Sequence, residues 1–159
     1  MSGLSRAWQA GWLAFPALLA SAMVVSISLK DLSRSSDLIV FGQVESVTPE
    51  RRGVRVVSVA VIGVAQVLKG KAAGAVAVQF AGGRVGGDLE ERPADSPAYR
   101  KGERVVVFLK KMPDTARYRT NANFQGKFKV VGDRVGPELI PLNAFIERVA
   151  LELADGSSR

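Results

Sequence analysis

The sequence predicts a mainly β chain, a five-stranded barrel of the OB type with a short N-terminal helix and a C-terminal amphipathic helix. Three observations carry this expectation. β-Branched residues crowd the stretch from Val54 to Leu68 over more length than a flat strand uses. Period-two alternation recurs around Val40, Val78 and Phe128. No full-length helix separates the strands, which removes a βαβ sheet and favours a barrel ahead of a sandwich.

Each element has its own warrant. Met23 to Ser28 reads as a short first strand, and Leu29 to Ser36 as one or two helical turns ending before Asp37. From Leu38, the residues Leu38, Val40 and Val44 share one face while Gln43 and Glu45 share the other; Gly42 permits a bulge or a close backbone approach. Thr48 to Gly53 reads as a turn because Pro49 and Gly53 punctuate it. A strand from Val54 to Leu68 would span roughly 45 to 50 Å, so it must coil, and Gly63 is the expected bulge. Lys69 to Gly74 turns the chain into a third strand on Val76, Val78 and Phe80. Gly82 to Gly102 reads as a long loop, of the length that is functional or mobile in small domains. Arg104 to Leu109 has the character of a fully buried fourth strand, and Met112 to Asn123 reads as a polar connection holding Tyr118. The fifth strand is expected to turn Phe128 and Val130 inward and Lys127 and Lys129 outward, with a hairpin turn at Gly132-Asp133. Leu142, Phe145, Ile146, Val149 and Leu153 then recur at helical spacing, with Asn143 near the cap and Gly156 beyond the end.

Composition narrows the chemistry. The 159 residues carry 22 Lys and Arg against 15 Asp and Glu, a formal charge of +7, and contain neither Cys nor His. Without them there is no Ser-His-Asp or Cys-His nucleophile, no thiol redox site and no ordinary zinc site. A non-enzyme without cofactor or metal is therefore expected.

The first residues point to export. Between Arg6 and Lys30 lie 23 uncharged residues, with Arg6 as a basic n-region, an apolar run from Gly11 to about Leu19, and Ala20-Ser21-Ala22 as a cleavage site. Residues 1–22 are read as a signal peptide, residues 23–154 as the barrel domain and residues 155–159 as a disordered tail. The alternative is an uncleaved anchor, because roughly 20 apolar residues cross a bilayer. Loss of Arg6 lowers the formal charge from +7 to +6. An exported protein, periplasmic or secreted, is expected; a bacterial source suits a Cys-free domain of this size.

The segment Gly82, Gly83, Arg84, Gly86, Gly87, Asp88, Glu90 and Glu91 is the candidate partner-binding loop. A phosphate cradle is not expected there, because acidic residues and Pro93 follow where a helix N-terminus belongs. Asp88, Glu90, Glu91 and Asp95 lack calcium-loop spacing. Glu90 and Glu91 are adjacent, so they point apart and form no acid–base pair. Nucleic acid is not the expected partner either. OB barrels stack bases on aromatic residues of the second and third strands, and here those strands hold only Phe80. The basic residues Arg51, Arg52, Arg55, Lys69, Lys71, Lys110, Lys111, Arg117, Arg119, Lys127 and Lys129 read as a solvated surface that could also draw an acidic partner.

Ser36 to Val44, followed by a long strand closing on Val67-Leu68-Lys69-Gly70, resembles the N-terminal domain of tissue inhibitors of metalloproteinases and the wider netrin-like modules. Together with Gly82 to Gly87, Gly102 to Leu109 and Gln125 to Phe128, the pattern is also similar to uncharacterised exported bacterial domains, and it covers most of the mature chain. The resemblance implies an OB-like barrel flanked by helices. It does not carry over the inhibitory mechanism, in which an N-terminal Cys chelates the protease zinc, because no Cys is present. The expected function is a non-catalytic module that binds a protein or an anionic envelope component through its long loops. Metalloprotease inhibition and single-strand nucleic-acid binding are the alternatives; the membrane becomes a partner only if the leader stays uncleaved.

Overall fold

The computed structural model describes residues 25–85 and 89–156. The expected leader and cleavage site and the end of the expected tail lie outside them, as does the start of the expected first strand. Residues 25–28 form no strand. They lead directly into α1 (Leu29–Ser35), whose first turn is capped by Ser28 Oγ accepting from the Asp31 amide at 3.1 Å.

Among the described residues ten strands follow, most of them in one sheet: β1 (Leu38–Arg52), β2 (Arg55–Lys69), β3 (Ala75–Ala81), β4 (Gly83–Val85), β5 (Leu89–Glu91), β6 (Arg104–Lys111), β7 (Tyr118–Thr120), β8 (Lys127–Val131), β9 (Arg134–Val135) and β10 (Ile140–Pro141). The helix α2 (Leu142–Ala154) closes the chain. The expected mainly β architecture is found. Five strands form a ring in the order β1, β2, β3, β7, β6 and back to β1. Its narrowest joint is the parallel one, where β3 meets β7 through the pair Val78 and Tyr118.

The fifth strand of the ring is thus β7, inside what reads from sequence as a loop. The clean alternation of β8 misleads because β8 pairs on the far side of β6, with β9 and β10 beyond it. Three residues suffice for β7 because neighbours hold it: Met112 and Arg117 bond across its entry, and the Asn121 amide donates to the Phe108 carbonyl at 2.8 Å.

Two cores explain the burial pattern. Leu38, Val40, Val44, Ile62, Val78, Val105, Val107 and Leu109 fill the ring. Ile39, Val106, Phe108 and Val130 pack outside it against Leu32 of α1 and Phe145 and Val149 of α2. A strand with apolar residues on both faces must be covered on both, which is why β6 reads as an unbroken apolar run.

The β1–β2 hairpin differs from expectation at its tip. Strand β1 runs through Pro49 to Arg52, leaving only Gly53 and Val54 as the turn. Pro49 is tolerated because the β6 ladder ends at Gln43, so no third strand requires its missing N–H. Gly63 is not the bulge either: the register slips at Ala65 and Leu68 on β2 and at Glu45 on β1. Gly63 instead leaves room for the Glu45 side chain, while Gly42 allows close approach, since a Cβ there would collide with the Gly63 carbonyl oxygen. The α2 cap also differs, since Pro141 holds that position and the Leu142 amide donates to the Asp133 carbonyl at 2.7 Å.

Gly42→Ala is expected to lower stability by about 3 kcal/mol, the upper end of the cost of overpacking, because backbone stands in the way. Gly74→Ala, where a Cβ would meet nothing within 4 Å, should cost only the strain of its φ of +68°, about 1 kcal/mol. Urea denaturation of both variants checks the order.

Candidate functional site

Beyond Val44 the outer edge of β1 leaves the β6 ladder, and below Val57 the outer edge of β2 leaves β3. The hairpin therefore continues past the ring as a two-stranded arm. The part beyond both ladders is short, Arg51 to Val56, because the β2 residues Val57 to Gly63 that face Gln43 to Glu50 stay paired with β3.

The candidate partner-binding loop comes to this arm and is shorter than expected, because it folds into an antiparallel ribbon of β4 and β5. Gly82 anchors it: its amide donates to the Val56 carbonyl at 2.9 Å and its carbonyl accepts from Ser58 Oγ at 2.7 Å. Gly83 has a φ of +147°, and a Cβ there would strike Ser58 Oγ, so only glycine brings the ribbon this close to Pro49 and Val56. In register, Arg84 faces Glu90 and Gly83 faces Glu91. Gly86, Gly87 and Asp88 lie outside the described residues. Asp95 stands on the following segment, its carboxylate accepting from Asn123 Nδ2 at 3.0 Å.

The apex of the arm is wholly exposed from Arg51 to Arg55, and Val54 is 98% exposed. Three arginines, Arg51, Arg52 and Arg55, flank this valine in the sequence. The nearest acid, Glu50, is taken by Arg117 through two bonds of 2.9 and 3.0 Å, and that bond holds its carboxyl below the usual carboxylate range. Arg52 reaches the same carboxylate at only 3.6 Å. Among the described residues, Arg51 and Arg55 have no ion-pair partner.

A second feature lies on the α2 side. Ile27, Leu29, Phe128, Val135, Ile140 and Phe145 help line an apolar cleft of about 680 Å³, with Phe124 45% exposed beside them. Gln125 ties the incoming chain to it. Its side-chain carbonyl accepts from the Ile27 amide at 3.0 Å and its NH₂ donates to the Val25 carbonyl at 3.2 Å, so one amide does for this segment what a strand partner does elsewhere.

A titratable cluster sits at the end of the ring interior. Lys127 is expected to face outward, yet its side chain is only 12% exposed. It pairs with Glu103 at 2.7 Å, donates to the Ala98 carbonyl and lies 4.9 Å over the Tyr99 ring. Residue alternation on β8 turns Phe128 and Val130 to the helices and leaves Lys127 to the ring. Tyr99 hydrogen-bonds Thr120 at 2.7 Å and packs on Phe80 at 5.2 Å. The aromatic residue of the second and third strands is therefore engaged with the core.

The apex and Gln125 escaped the sequence reading for different reasons. Arg51, Arg52 and Arg55 were visible as charges, but their isolation on an arm depends on where the β6 ladder stops. Gln125 was visible only as part of a motif, and nothing local marks a contact across 98 residues.

Burial pushes the Tyr99 hydroxyl far above its ordinary value of 10.0, while the bond to Thr120 opposes and the Glu103 carboxylate adds to the rise. A raised folded value keeps its stability contribution intact below the unfolded value and loses it as pH climbs above about 10. Lys127, depressed first by desolvation, acts oppositely and adds stability with rising pH up to its ordinary 10.5. The larger Tyr99 effect is expected to win, so Tm falls above pH of about 10. Tyr99→Phe should flatten that fall while costing about 1 kcal/mol at neutral pH for the lost hydrogen bond. Thermal melts across alkaline pH test both.

Among the described residues, no helix is long and apolar enough to cross a membrane. No family model matches the chain, and no curated protein matches it.

Proposed function

We propose that this chain is an exported, non-catalytic binding module that engages a protein or an anionic envelope component through the structures at one end of its ring. The observation that carries the reading is the convergence of the β4–β5 ribbon on the β1–β2 arm. Gly82 and Gly83 press the ribbon against the arm, and the exposed apex stands beyond them. A rigid scaffold carrying its variable segments together at one end is the usual layout of a recognition surface.

A second reading, a metalloprotease-inhibitor-like protein in the netrin-like manner, is favoured by the Gln125 clamp. It fixes the chain at Val25 and Ile27, two and four residues past the expected new N-terminus at Met23. A free amine there would leave the fold from a held segment.

For the first reading, pull-down from an exported fraction should recover a partner with the wild type and lose most of it when Arg84, Glu90 and Glu91 are replaced by Ser. Unchanged recovery would remove the ribbon from the interface. For the second, the chain beginning at Met23 should slow at least one member of a zinc-protease panel, and Gln125→Ala should weaken that effect severalfold. Absence of inhibition across the panel would dispose of it.

A further inference from the structure

We infer that the apex of the β1–β2 arm docks on an anionic bilayer surface, Val54 entering the headgroup region while Arg51, Arg52 and Arg55 pair with lipid phosphates. The inference rests on the binding-module reading and names the partner of that end of the molecule. An exposed apolar side chain at the apex, flanked by three arginines within five residues of sequence, matches the layered chemistry of a membrane interface: anionic phosphate outside, acyl carbon within.

Three independent features set this apex apart from an ordinary basic surface. First, the ladders to β6 and β3 end before it, and every residue from Arg51 to Arg55 is exposed. Second, the acid nearest the apex is already paired: Glu50 is held bidentately by Arg117, which reaches it from the segment before β7. Third, Val54 is more exposed than any other large apolar side chain described, where a hairpin turn ordinarily carries a polar residue. Arginine suits the task, since its planar fork binds phosphate through paired N–H groups and is weakly hydrated. A nucleic acid would answer the same charges, but it would make no use of Val54, and Phe80 packs on Tyr99 and offers no stacking face.

The test is co-sedimentation of the chain beginning at Met23 with vesicles of phosphatidylglycerol and phosphatidylcholine, against phosphatidylcholine alone. The wild type should bind the anionic vesicles selectively, more weakly as salt rises. Each basic residue at such a surface is worth about a factor of five, so Arg51→Gln/Arg52→Gln/Arg55→Gln should lower partitioning roughly 100-fold. A charge-matched triple at exposed positions elsewhere, Lys71→Gln/Arg119→Gln/Lys129→Gln, should retain most of the binding. Val54→Ser should cost several-fold with all charges kept. Equal losses in the two triples would overturn the inference in favour of net charge. Selective binding that ignores Val54→Ser and is abolished by a single-stranded oligonucleotide would overturn it in favour of nucleic acid, and equal binding to both vesicle types, or to neither, would overturn it outright. Should vesicle binding fail while the ribbon-dependent partner is still recovered, the module reading survives and only the membrane assignment falls.

Discussion

The contact between Gly42 and Gly63 is the constraint on which the rest of the structure depends. Strands β1 and β2 are each 15 residues long, too long to lie flat beside short neighbours. They cross closely where Gly42 has no side chain to meet the Gly63 carbonyl, Gly63 leaves room for the Glu45 side chain, and the register slips at Glu45, Ala65 and Leu68 add local twist on either side. One half of the hairpin thereby curls into the ring, where β6 and β3 complete it. Its tip, Arg51 to Val56, runs past both ladders. A flatter hairpin would lose both the closed core and the arm, so interior and candidate recognition surface have a common origin.

The coiling also settles where helices are required. Once β1 and β6 line the ring with one face, their opposite faces present Ile39, Val106 and Phe108, which α1 and α2 cover. The aromatic contacts there, Phe108 to Phe128 at 5.6 Å and Phe128 to Phe145 at 5.0 Å, run from sheet to helix through β8. Two cores sharing two strands supply burial that a single small barrel lacks, which is how a Cys-free chain of this size packs without cross-links.

Much of the fold was legible because burial wrote it into local periodicity. Leu38, Val40 and Val44 announced one face of β1; Phe145 and Val149 announced α2. What was not legible depended on partners distant in sequence. Strand β7 has three residues and no pattern of its own, so its place in the ring comes from the neighbours that hold it. Lys127 alternates like an outward residue, yet its strand has a core on each side, and the ammonium finds Glu103 and the Tyr99 ring within. Pro49 announced a turn, but the missing third strand made it acceptable inside β1. Of the candidate site, the glycines at 82 and 83 were visible; the ribbon they begin and the arm it leans on were not.

The excess of positive charge can now be divided. Lys69 donates to the carbonyls of Ser33 and Arg34 at the end of α1, at 3.0 and 2.9 Å, and meets the negative end of that helix. Arg104 lies 5.2 Å over Phe41 and bonds the Gly132 carbonyl at 2.7 Å. Arg117 and Lys127 are joined to Glu50 and Glu103. These four cations hold parts of the fold together. Arg51 and Arg55 do neither of those structural tasks. Surface charge that supports no contact is tolerated anywhere on a protein, but its concentration on an exposed two-stranded apex around an apolar residue raises local potential where a partner would first arrive. The distribution of charge, more than its total, gives this end of the molecule its chemical character.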